Sequence, residues 1–218
     1  MIKRLVILFT LLVSPLAVAG ASTADDAARQ LLDSFVDDVI TFEGSFEQAL
    51  LDANGEVIER STGTLEIERP GRFRWSYVEP YEQWLIADGL NMWSYDVDLA
   101  QVTVKAQAEA LANTPALLLG GSEEALQQFD IDDSYVEGAM TWVRLVPKNT
   151  DSGFERVELG FTAGTLSRMV FFDNLQQTTL ISLDDVVVNE PIDDSRFVFE
   201  PPEDVDVVGT PAEAALAP

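Results

Sequence analysis

Apolar and polar positions along this chain switch from a helical to a strand period near residue 40. Before the switch, DDAARQLLDSFVDDVITF (25–42) places apolar residues at Ala28, Leu31, Leu32, Phe35, Val36 and Val39. That spacing predicts an amphipathic helix, and the early acids favour its N-terminal dipole. Beyond it, a period of two predicts strands around 42–51, 57–69, 72–78, 82–87, 91–96 and 101–106. A second series follows near 129–136, 139–147, 154–161, 165–173, 176–189 and 196–200. Turn chemistry marks several joints, namely DANGE (52–56), RPG (69–71), ADG (87–89) and TAG (162–164).

The stretch LEIERPGRFRW (65–75) carries an anomaly. Alternation places Leu65, Ile67 and Arg69 on one face and Glu66 and Glu68 on the other. A residue before proline favours extended backbone, so the pattern runs on to Arg69. A permanent charge therefore stands on the apolar face.

Helical signals interrupt the strand series in AEALANTPALLLGG (108–121), with Thr114 as N-cap, Pro115 at the first helical position and Gly120 as terminator. Ser122 caps a second short helix in SEEALQQF. The whole reads as one antiparallel sheet of about ten strands, with one helix before it and one or two inserted midway. A sheet of that length curls. Aromatics recur along it, among them Phe42, Phe46, Phe73, Trp75, Trp84, Trp93 and Trp142. They fill a packed core, or line a cavity if the curl is wider than its side chains can fill. Leu117–Leu119 make the inserted helix apolar over most of its circumference. This fits a buried core helix, or a helix sandwiched between the protein and an apolar ligand.

The first 21 residues have a different purpose. Lys3 and Arg4 precede an apolar run from Leu5 to Val13, and small residues follow at Ala17, Ala19 and Ala21. This is the pattern of a cleavable signal peptide, cut after Ala19 or Ala21, and the run is too short to span a bilayer. An exported, soluble mature protein is expected, with one domain over 22–208 and a loose tail over 209–218. Cleavage removes two cations and no acid, so the mature chain is more acidic than the full-length charge of −25. Such a charge repels nucleic acid and anionic membranes and favours basic partners, although a salt-rich habitat produces the same composition.

With no cysteine and no histidine, thiol chemistry, His-based triads and imidazole metal sites are excluded. No phosphate loop, dinucleotide fingerprint or nucleophile elbow occurs. The acid clusters at 95–98, 130–133, 184–185 and 193–194 could pair for glycoside hydrolysis or hold calcium, but among 38 acids they read first as solvated faces. No catalytic residue, metal ligand or cofactor is assigned.

TFEGSFEQ, GTLEIERPGRFRW, PYEQWLIADGLNMWSYD, NTPALLL and FVFEPPEDVDVV occur in an order that resembles the periplasmic lipoprotein carriers of the LolA family, from about Thr23 to Val208. The resemblance implies a mainly β, α+β fold: an incomplete, strongly curved antiparallel barrel with a helical lid over an apolar cavity. It implies a monomeric, non-enzymatic chaperone that takes acylated lipoproteins from an inner-membrane ABC transporter to an outer-membrane receptor. Arg69 falls on the family's lid-contacting arginine, and Phe73 and Trp75 on its aromatic positions. The expected cavity and lid residues are Phe73, Trp75, Leu85, Trp93, Leu117, Leu118 and Leu119. Arg69 then gates the lid through helix carbonyls; without a lid, it would snorkel to water at a strand end. A lipid-sensing periplasmic domain of the same fold and a carboxylate-based hydrolase are the competing functional readings.

Overall fold

The computed structural model describes residues 24–111, 126–149 and 152–212. Helix α1 (Ala24–Asp37) leads into β1 (Thr41–Leu51), β2 (Val57–Glu68), β3 (Arg72–Glu79), β4 (Gln83–Asp88), β5 (Asn91–Asp96) and β6 (Gln101–Ala106). A short helix α2 (Gln107–Leu111) follows directly on β6. The second series comprises β7 (Phe129–Glu137), β8 (Met140–Pro147), β9 (Phe154–Thr162), β10 (Thr165–Asp173), β11 (Thr178–Val188) and the short β12 (Asp206–Val208). All belong to one sheet in the order β12-β6-β5-β4-β3-β2-β1-β11-β10-β9-β8-β7. Neighbours pair antiparallel except β12, which lies parallel to β6 through Gln101–Thr103.

Each face of this sheet has its own apolar cover. On the inner face, α1 sets Ala28, Leu32, Phe35 and Val36 into one core with Phe42, Phe46, Leu65, Ile67, Phe73 and residues of β8–β11. The Phe35 and Phe161 rings meet edge-on at 6.0 Å, which ties α1 to the far half of the sheet. The outer face of β4–β6 carries a second core of Ile86, Trp93, Val102 and Val104, packed beneath Phe199 and Val205.

The C-terminal segment forms that outer cover, and here the structure corrects the strand expected at 196–200. Asp194–Phe197 is a 3-10 turn whose N-cap, Asp193, accepts from Ser195 N at 2.9 Å. Phe197 is buried and Phe199 packs on the outer core while Val198 between them is exposed, because one side of the segment is covered, and among the described residues the segment belongs to no strand of the sheet. Phe199 lies 5.5 Å from the Trp93 ring and 5.8 Å from Tyr95, and Arg196 Nε donates to Glu66 at 2.9 Å. The parallel strand β12 was not anticipated from the sequence, since three residues carry no period.

Residues 209–212, assigned above to a loose tail, have fixed contacts. A Cβ on Gly209 would lie 2.1 Å from Val104 O, and its φ is +104°, so glycine is required there. Asn91 accepts from Ala212 N at 2.7 Å and donates to Ala212 O at 3.3 Å. Asn91→Ala is expected to lower stability by about 1–2 kcal/mol through these two bonds and to unlatch 209–212. Amide exchange at Ala212 and urea unfolding check it; unchanged protection of that amide refutes the latch.

Candidate functional site

Arg69 extends β2 beyond its last paired residues and turns inward, as alternation predicts: Leu65, Ile67 and Arg69 are all buried, Arg69 to 7% exposure. Its backbone N–H donates to Ile40 O at 2.8 Å. Its Nη1 donates to the carbonyl of Phe35 and to that of Val39, the latter at 2.6 Å. Phe35 lies in the last turn of α1, where carbonyls lack an intrahelical donor and carry partial negative charge. The guanidinium carbon also sits 4.4 Å from the Phe35 ring centroid. Burial lowers its pKa to about 10, against the opposing pull of Asp37, so it remains a cation at neutral pH. Among the described residues its Nε and Nη2 have no acceptor.

Neighbouring elements brace this contact. Gln107, at the start of α2, donates to Gly71 O at 2.6 Å and accepts from Gly89 N at 2.9 Å, so one side chain ties the RPG and ADG turns together. Behind α1, Asn189 accepts from Ile40 N at 2.8 Å and donates to Asp38 O at 2.9 Å. The link from α1 to β1 is therefore anchored on its outer side by Asn189 and on its inner side by Arg69.

Phe73, Trp75 and Leu85 stand together on the inner face, where Trp75 opposes Leu65 on one side and Leu85 on the other. Phe46 packs against Trp75 at 4.9 Å and against Tyr77 at 5.3 Å. Trp93 is not with them. It opposes Ile86 on the outer face, and its Nε1 donates to Asp88 Oδ2 at 2.8 Å. Its inner-face neighbour on β5 is Met92, which packs against the α1 core. Leu117, Leu118 and Leu119 lie outside the described residues.

Beyond Tyr77 the inner face opens into a cleft of about 440 Å³ bordered by Gln48, Ser61, Tyr77 and Gln83, with acids from β2, β3, β5 and the turn after β5. Tyr77 donates to Gln48 Oε1 at 3.2 Å. The acid clusters have structural uses: Asp132 and Asp133 lie 3.8 and 3.7 Å from Arg144, and Asp194 accepts from Arg72 at 2.9 Å.

The family model described as outer membrane lipoprotein carrier protein LolA matches residues 37–200. The chain belongs to the LolA family. A protein of Halorhodospira halophila named outer-membrane lipoprotein carrier protein is 42% identical over 199 residues, covering 91% of this chain and 93% of that one. Its namesake in Nitrosomonas europaea is 40% identical over 183 residues, covering 84% and 89%. Among solved structures, an uncharacterized conserved protein of Thermus thermophilus shares the fold at 14% identity and a TM-score of 0.53, covering 84% of this chain and 98% of that one.

In this LolA-family chain the expected residues Arg69, Phe73 and Trp75 lie on one face with α1, and three residues that hold the same region were not anticipated. Phe35 was legible as a helix-stripe residue, but its carbonyl as an acceptor was not. Gln107 gave no signal, because a bridge between two turns depends on tertiary proximity. Asn189 was hidden at the end of a strand expected to run to that residue, where its φ of 61° marks a turn.

Proposed function

We propose that this chain is a periplasmic carrier that covers the acyl chains of lipoproteins between the inner and the outer membrane. The observation that carries the reading is one junction: an amphipathic helix seated on an apolar sheet face and held at its C-terminal turn by one buried guanidinium. The family and the carrier names of its relatives support the same reading.

The physics of the task explains the arrangement. Each acyl methylene resists transfer to water by about 0.8 kcal/mol, so a lipoprotein crosses an aqueous space only when its tails are covered. The inner face offers that cover once α1 swings away from it. Four apolar side chains of α1 then compete with the tails for the same surface, which keeps binding reversible. Arg69 biases the competition toward the closed state without covalent chemistry. The proposal includes a leader-directed periplasmic location, an ABC transporter of the inner membrane as donor and an outer-membrane receptor as acceptor.

The test is purification of the chain from a bacterial periplasm, followed by mass spectrometry of what it carries. Peptides bearing a diacylglyceryl cysteine are the expected result. A chain that emerges without lipid, and takes up no fluorescent acyl probe, overturns the carrier reading.

A further inference from the structure

The inner face holds a buried donor that the closing mechanism does not use. Trp75 is 7% exposed, and among the described residues its indole Nε1 has no hydrogen-bond partner. An unpaired buried N–H is uncommon in a folded protein and disfavours the state that leaves it so. Its position is specific. Toward the RPG turn its strand continues through Phe73 into the apolar core beneath α1, and toward the other end the next inward residue is Tyr77, where an open cleft bordered by Gln48 and Ser61 begins. Trp75 therefore stands between a closed apolar core and an open cleft with polar side chains at its border, a place suited to a ring with one wet edge.

A diacylglyceryl group has the matching pattern: hydrocarbon on one side, a polar backbone on the other, and ester carbonyls, which accept but do not donate, at the junction. Resting on the carrier reading above, we infer that the Trp75 indole N–H donates to an acyl-ester carbonyl of the cargo and sets the depth at which the tails enter. Phe46, 4.9 Å away over the side-chain-free Gly63, holds the indole plane and leaves the opposite strand flat. Trp142 supplies an internal control. Among the described residues its indole is likewise buried without a hydrogen-bond partner, but it lies on the outer face against Tyr135 at 6.2 Å, remote from the cargo surface.

The experiment measures displacement of a fluorescent acyl probe from the mature chain by two synthetic lipopeptides, one with ester-linked and one with ether-linked palmityl chains on the glyceryl cysteine. Wild type is expected to prefer the ester about three- to tenfold, the worth of one neutral hydrogen bond. Trp75→Phe removes the preference while retaining ether binding, and Trp142→Phe leaves the preference intact. Trp75→Phe with a wild-type preference, or wild type with none, overturns the inference and leaves the carrier reading standing. Binding of neither lipopeptide overturns both. In unsubstituted protein the Trp75 indole proton should move downfield with the ester ligand and not with the ether, a readout independent of the variant's folding. Ester phosphatidylethanolamine, run in parallel, separates the two sources of such esters: tighter binding of the lipopeptide supports cargo, and tighter binding of the phospholipid overturns it.

Discussion

Arg69→Leu is expected to fold, to take up lipopeptide, and to hand it to acceptor vesicles at least about tenfold more slowly than wild type. The reasoning starts from what each state loses. Leucine at this position joins Leu65 and Ile67 on an apolar face, and the cost of burying a cation, visible in the pKa lowered to about 10, disappears. The fold is thus spared. The closed lid is not, because the carbonyls of Phe35 and Val39 lose their shared donor. A hydrogen bond from a charged donor is worth about 1.5–3 kcal/mol, so the equilibrium between seated and displaced α1 shifts roughly ten- to hundredfold toward displaced. A displaced helix competes poorly with the tails, and cargo stays bound. Arg69→Lys keeps the charge without the flat group against the Phe35 ring and should fall between the two. Transfer at the wild-type rate by the leucine variant refutes the gate.

Gly63→Val, by contrast, is expected to destabilise the fold severely. A Cβ at this position would stand 1.9 Å from Ser76 O on the paired strand and 2.7 Å from the Phe46 ring. The first contact is with backbone, so β2 and β3 must separate, and the ladder opposite Tyr77 opens with them. The cost lies at or above about 3 kcal/mol, the upper end for overpacked interiors, which is a large share of a domain's stability. Circular dichroism and urea titration of periplasmic extracts check it; a variant with the wild-type midpoint shows that the strands can accommodate the added carbons.

Local chemistry was legible from residues wherever a single face or turn decided it. Alternation from Leu65 carried through to Arg69 because proline keeps its predecessor extended. The motif DGLNMWSY (88–95), part of the longer segment quoted above, has a local cause too: the Asp88 carboxylate accepts from Leu90 N at 2.8 Å, Asn91 N at 2.6 Å and Trp93 Nε1 at 2.8 Å, closing the turn and fixing the indole. What the motif could not reveal was the side of the sheet on which Trp93 stands. Met92 and Trp93 are both apolar, so β5 reads as covered on both faces, and assigning the tryptophan to the cargo side was a choice between equals. The distinguishing element, Phe199, is more than a hundred residues away in sequence. The same distance hid β12 and the Asn91–Ala212 latch. Leu117–Leu119, the other proposed cover, lie outside the described residues.

The strap over the back of β4–β6 has a consequence for the loading cycle. A container that must exist both full and vacant needs walls that do not depend on the contents. Because Trp93, Val102 and Val104 are locked behind the sheet by Phe199 and Val205, this wall keeps its shape by contacts that incoming tails never touch. Loading and unloading can thus rearrange the front while the rear supplies a constant reserve of rigidity.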